Sequence, residues 1–113
     1  MSGANVRLVE LSPQETAEKL AGGQGDLIDV REPYEWEAGR IDGARHVPMH
    51  ELSEFAGSAA RDRPLVFVCR VGARSGMAAD AFRQAGFDAY NLSGGVVAWE
   101  GTGLPFEGYV GEH

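Results

Sequence analysis

The chain of 113 residues contains one cysteine, and the residues after it set it apart from an ordinary buried thiol. Cys69 is followed by Arg70, Val71, Gly72, Ala73, Arg74 and Ser75, within the run VFVCRVGARSG. Gly72 opens backbone conformations closed to other residues. A turn here can therefore aim successive N–H groups inward as an anion nest. A helix starting near Ser75 adds its positive N-terminal end, and Gly76 allows that helix a close approach. Arg70 and Arg74 are two cations able to strengthen the nest and grip an oxyanion. A thiol in such surroundings ionises at a pKa of roughly 3.5–7.5, against about 8.5 for a free cysteine. The chemistry implied is attack by a thiolate through a covalent intermediate. The competing reading makes Cys69 a small hydrophobe at a strand end. The Arg-Gly-Arg loop and the adjoining helix start favour the reactive thiol.

This loop needs a strand to deliver Cys69 and a helix to receive Ser75. LVFV at 65–68 is a short apolar run, β-branched and aromatic, preceded by Pro64. It reads as a central parallel strand buried on both faces. From Ser75 the period changes. Met77, Ala78, Ala81, Phe82 and Ala85 share one helical face, opposite Asp80, Arg83 and Gln84, and Gly86 caps the helix. Upstream, Val6–Val9 alternates as a first strand. Ser12 then serves as N-cap, with Pro13 at the first helical position and Glu15 completing a capping box, and this helix runs to about Ala21 before Gly22-Gly23. DLIDV at 26–30 forms a second strand, EPYEWEAG a short helix from Pro33 to Gly39, HVP at 46–48 a short strand, and 50–56 another short helix. DAYNL at 88–92 is a further strand, GGVVAW starts the last helix, and the segment from about 104 is a peripheral tail. Alternating strands and helices predict a single α/β domain over 1–113 with a mostly parallel sheet.

Ligands of such sheets bind beyond the carboxyl ends of the strands. Arg31 follows DLIDV, Cys69 and Arg70 follow LVFV, and Ser93-Gly94-Gly95 follows DAYNL, so these residues are placed to build one crevice. Asp29 either orients the cysteine loop by accepting its backbone N–H groups or serves as an ordinary strand-end turn residue, and Arg31 is expected to pair with Glu32, Glu35 or Glu37 in preference to touching substrate. Ser75 either donates to the thiolate or caps its helix. Trp36 and Trp99 are assigned to the core or the crevice wall.

Composition limits the functions available. The net charge of −7 argues against general nucleic-acid binding, which needs a basic face. No segment reaches membrane-spanning length. MSGANVRLVE shows no basic start followed by an apolar stretch, and a single cysteine suits a reducing compartment, so a cytoplasmic location is expected. His46 and His50 are four apart, but Pro48 lies between them and no further ligands complete a metal site. Gly22-Gly23-Gln24-Gly25 precedes a strand instead of following one, which does not suit a dinucleotide loop. Neither metal nor cofactor is expected.

Taken together, CRVGARS, the stretch DVREPYEWEAGRIDGARHVP at 29–48, and NLSGGVVAW at 91–99 followed by GLPFE resemble the rhodanese family of sulfurtransferases, in that family's order. One departure is Arg40, which stands where the family usually has histidine. The resemblance implies a five-stranded parallel sheet with helices on both faces. It implies that Cys69 takes the outer sulfur of a donor such as thiosulfate as a persulfide and passes it to cyanide, a thiol or a protein acceptor such as a thioredoxin-like protein. The alternatives are a persulfide carrier serving a protein partner and a binding or regulatory module without turnover. Related phosphatases and arsenate reductases use a loop of Cys, five residues and Arg. Here four residues separate Cys69 from Arg74, which by analogy suits sulfur better than phosphate. No second cysteine exists to resolve a persulfide, so turnover depends on an external acceptor.

Overall fold

The computed structural model describes residues 9–111. The chain begins with β1 (Glu10–Leu11), α1 (Pro13–Ala21), β2 (Asp26–Asp29) and α2 (Pro33–Ala38). Next come β3 (Gly39–Arg40), β4 (Arg45–His46), a 3₁₀ turn (Met49–Glu51) and α3 (Leu52–Ala56). It ends with β5 (Leu65–Val68), α4 (Ala73–Gln84), β6 (Ala89–Leu92), α5 (Gly95–Gly101) and β7 (Glu107–Gly108). Five strands form one parallel sheet in the order β1-β6-β5-β2-β4. Successive side chains of a strand point to opposite faces. Leu65 and Phe67 accordingly enter one apolar cluster with Ile28, and with Phe55 of α3 and Phe82 of α4. Val66 and Val68 enter the other with Leu27, Trp99 of α5 and Leu20 of α1. Helices thus cover both faces. Among the described residues, no helix is long and apolar enough to cross a membrane.

Local chemistry fixes several boundaries. The Ser12 hydroxyl accepts from the Glu15 N–H (3.0 Å) while the Glu15 carboxylate accepts from the Ser12 N–H (2.8 Å), so α1 starts on a reciprocal capping box. The first strand lies later than the alternation at 6–9 suggests: its described part is Glu10–Leu11, and residues 6–8 lie outside the described segment. β4 is Arg45–His46 instead of 46–48. Val47 and Met49 still donate to the Asp29 (2.9 Å) and Val30 (3.2 Å) carbonyls, but past Pro48 the chain turns into the 3₁₀ segment. α4 opens at Ala73, two residues before Ser75. Its buried face is Ser75, Ala78, Ala79 and Phe82, so the expected face is rotated and Met77 is 61% exposed. Alanines occur all around this helix, so apolar periodicity alone does not fix its phase.

The tail is seated against the body of the protein. β7 pairs antiparallel with β3, matching Gly39 with Gly108 and Arg40 with Glu107. Arg40, at the position that departs from the family pattern, binds the Glu107 carboxylate (2.9 Å) and lies over the Trp36 ring (5.1 Å). The Trp99 indole donates to the Pro105 carbonyl (2.8 Å), and Leu104, Phe106 and Val110 pack on the core.

The end of β2 shows how Asp29 and Arg31 are used. Arg31 pairs with Asp29, two residues back in the chain. Its Nε and Nη2 contact both carboxylate oxygens at 2.9–3.1 Å, and Nη2 also donates to the Gly39 carbonyl (2.7 Å). Asp29 accepts the Arg31 N–H (3.0 Å) instead of the N–H groups of the cysteine loop. The i, i+2 geometry brings carboxylate and guanidinium together without spanning to another element, and burial to 0% and 1% exposure makes pairing obligatory. Asp29→Ala leaves a buried, unpaired cation. Urea unfolding should show a loss of roughly 3–5 kcal/mol, and replacing Arg31 with methionine in the same chain should recover much of it.

Candidate active site

Cys69 leaves β5 at the carboxyl edge of the sheet and is 1% exposed. Its Sγ accepts from the Gly72 N–H (3.1 Å), the Ser75 N–H (3.4 Å) and the Ser75 hydroxyl (3.2 Å). Burial pushes the thiol up. Hydrogen bonds from the Ser75 hydroxyl and from the N–H groups of Ser75, Gly72 and Arg74 outweigh it, and hold Cys69 below the ordinary thiol value. Gly72 makes this convergence possible: its φ of 111° turns the chain from strand into helix within the loop. Val71 and Ala73 face solvent and serve the site through the backbone they contribute. Ser75 lies inside α4, and Gly72 holds the cap position, so the Ser75 side chain is turned to the sulfur instead of to capping.

α5 fixes the back of the loop. The Val96 and Val97 N–H groups donate to the carbonyls of Cys69 (2.9 Å) and Arg70 (3.1 Å). A Cβ on Gly95 would overlap the Arg70 carbonyl, so only glycine lets the two backbones approach this closely. The three strand ends named from the sequence therefore do lie side by side.

The two loop arginines have different surroundings. Arg74 makes a bidentate pair with the buried Glu35 of α2 (2.8 and 3.0 Å), which holds its guanidinium more firmly in the charged form. Arg70 donates through Nε to the Gly111 carbonyl (3.1 Å). Among the described residues, its two terminal nitrogens are unengaged. Arg70 also lines a cavity of about 260 Å³ together with Arg31, Tyr34, Glu35, Tyr109 and Gly111. A larger hollow of about 600 Å³ lies near the start of β2, beside Asp26 and Leu27, away from the thiol. His46 stacks on Trp36 (4.8 Å) and bonds the Arg31 carbonyl through Nε2 (2.8 Å), a structural use of the ring.

Two features escape sequence reasoning, and a third is legible but not singled out. Glu35 is one of several glutamates in EPYEWE, and nothing local marks it as the partner of Arg74. The tail segment reaching Arg70 contains only a two-residue strand, too short to show a period. Asn91, by contrast, carries a signal: a polar side chain within the apolar run AYNL requires a buried partner.

Comparison with known proteins gives a consistent result. The family profile for the rhodanese-like domain matches residues 12–102. The chain is 40% identical over 86 residues to thiosulfate sulfurtransferase GlpE of Pseudomonas aeruginosa, covering 75% of this chain and 78% of that protein. It is 42% identical over 93 residues to the probable adenylyltransferase/sulfurtransferase MoeZ of Mycobacterium tuberculosis, covering 79% of this chain but only 24% of that longer protein. The crystal structure of a rhodanese-related protein from Thermoplasma volcanium superimposes with a TM-score of 0.79 at 28% identity, covering 86% of this chain and 95% of that one.

Because the nest depresses the thiol, alkylation of Cys69 by iodoacetamide should reach half its limiting rate below the ~8.5 of a free cysteine. Gly72→Ala forces a side chain into a left-handed conformation at a cost of about 1–2 kcal/mol. It should move that midpoint upward, read from alkylation rate against pH.

Proposed function

The chain belongs to the rhodanese-like domain family, and from that membership we propose a sulfurtransferase that carries sulfane sulfur on Cys69. The observation that carries this reading is the convergence of two N–H groups and one hydroxyl on a single buried sulfur. The Cys69 thiolate attacks the outer sulfur of thiosulfate. The new S–S bond forms as the old one breaks, and sulfite leaves with the bonding pair. The terminal sulfur of the persulfide is anionic, so donors arranged for a thiolate also suit the intermediate. An acceptor such as cyanide or a thiol then attacks that outer sulfur and returns Cys69 to the thiolate, a ping-pong sequence. With a single cysteine in the chain, the acceptor comes from outside it.

A protein acceptor is a second reading with an observation of its own. Tyr34 and Tyr109 are exposed beside the cavity, and Val71 is exposed on the loop. Apolar side chains around a reactive centre suit a partner protein, such as a thioredoxin-like one, better than a small inorganic ion. Both readings use the same persulfide.

Incubation with thiosulfate should raise the intact mass by one sulfur atom, and cyanide should remove it as thiocyanate. Cys69→Ser should abolish both, and failure of Cys69 to gain sulfur from thiosulfate or from other persulfide donors overturns the assignment. Sulfur gain without turnover by cyanide selects the protein acceptor. Arg74 is already paired, which leaves Arg70 as the cation for the donor. Arg70→Ala should raise the KM for thiosulfate about ten-fold, the loss of one charge-assisted contact, with a smaller change in kcat.

A further inference from the structure

The Ser75 hydroxyl has one proton and two acceptors. It lies 3.2 Å from Cys69 Sγ and 2.5 Å from Asn91 Oδ1. The Asn91 amide cannot be turned around, because its Nδ2 faces the two Glu10 carboxylate oxygens and the Gly72 carbonyl, all at 3.1 Å. A reversed amide would set its oxygen against three others. Glu10 and Asn91 are direct partners in the β1–β6 ladder, so the strand register itself brings the carboxylate to the amide.

We infer that Asn91 and Glu10 are positioning residues for Cys69, acting through the Ser75 proton for which Asn91 and the sulfur compete. In the neutral thiol, the S–H donates to Ser75 Oγ and the Ser75 O–H donates to Asn91 Oδ1. When the thiol proton leaves to water, the hydroxyl turns to the sulfur and Asn91 loses its donor. The Glu10 carboxylate polarises the amide and strengthens Oδ1 as a competitor. It therefore holds the resting thiol less acidic than the nest alone would make it.

Other charges around the thiol are separately engaged. Arg74 of α4 is paired with Glu35 of α2, close to Tyr34. Asp29 and Arg31 at the end of β2 are paired with each other, and His46 of β4 bonds the Arg31 carbonyl. Arg70 of the loop is held by Gly111. Glu10 is the carboxylate linked to the sulfur through Asn91 and Ser75.

This inference rests on Cys69 being the reacting thiol, but its test needs no sulfur donor. With one cysteine in the chain, the ultraviolet absorbance of the thiolate, taken against Cys69→Ser, follows Cys69 alone. Glu10 is exposed, so Glu10→Gln should leave the fold intact. It should lower the Cys69 midpoint by about half a unit, raising the thiolate fraction about three-fold on the acid limb. Ser75→Ala should raise the midpoint, and Glu10→Gln added to it should produce no further shift. The wild-type shift should also persist in about 1 M salt, where the Debye length is ~3 Å. No shift on Glu10→Gln overturns the inference. So does an equal shift in the Ser75→Ala background or a shift erased by salt, since either marks a direct charge effect.

Discussion

A cysteine almost out of contact with water can ionise only if the protein that buries it solvates the sulfur. That requirement organises the molecule. Gly72, Ser75 and the chain turn between them supply N–H and O–H groups where water would otherwise stand. The donors point inward only because the chain passes from β5 to α4 through a left-handed glycine. The helix that starts there adds the partial positive charge of its own unpaired N–H groups.

The rest of the sheet holds this turn from several sides. α5 grips it from behind through the Cys69 and Arg70 carbonyls. α2 reaches it from the side through the Glu35–Arg74 pair, and the buried Asp29–Arg31 pair ties the end of β2 to Gly39 at the end of that helix. Most of the arginine charge near the thiol arrives already paired. The sulfur is lowered by short-range hydrogen bonds, and Arg70 keeps donor capacity in reserve for something that enters. The acidic composition thus does not oppose a lowered thiol, because the donors nearest the sulfur are backbone and hydroxyl groups instead of free cations.

What could be read from the sequence follows the range of the interaction. The capping box of α1, the strand LVFV and the glycine turn after Cys69 are local, and each residue announces its own conformation. Partner choice is not local. Arg31 had three plausible glutamates nearby and took Asp29, whose carboxylate lies two residues back in a dry environment. The phase of α4 was hidden because alanine fits both sides of a helix, so the sheet beneath decided which side is buried. β3 and β7 have two residues each and no period to detect. They exist because the tail crosses Gly39, a contact only the assembled fold creates.

β5 lies between β2 and β6 in the sheet, and α5 clamps the loop that β5 delivers. During synthesis Cys69 is made before either β6 or α5. Until they follow, the strand lacks one neighbour and the loop lacks its clamp. Glu10 and Gly111, from opposite flanks of the sequence, join the site through Asn91 and Arg70. The hydrogen bonds gathered around Cys69 are therefore complete only when segments from both flanks of the chain have taken their places in the fold.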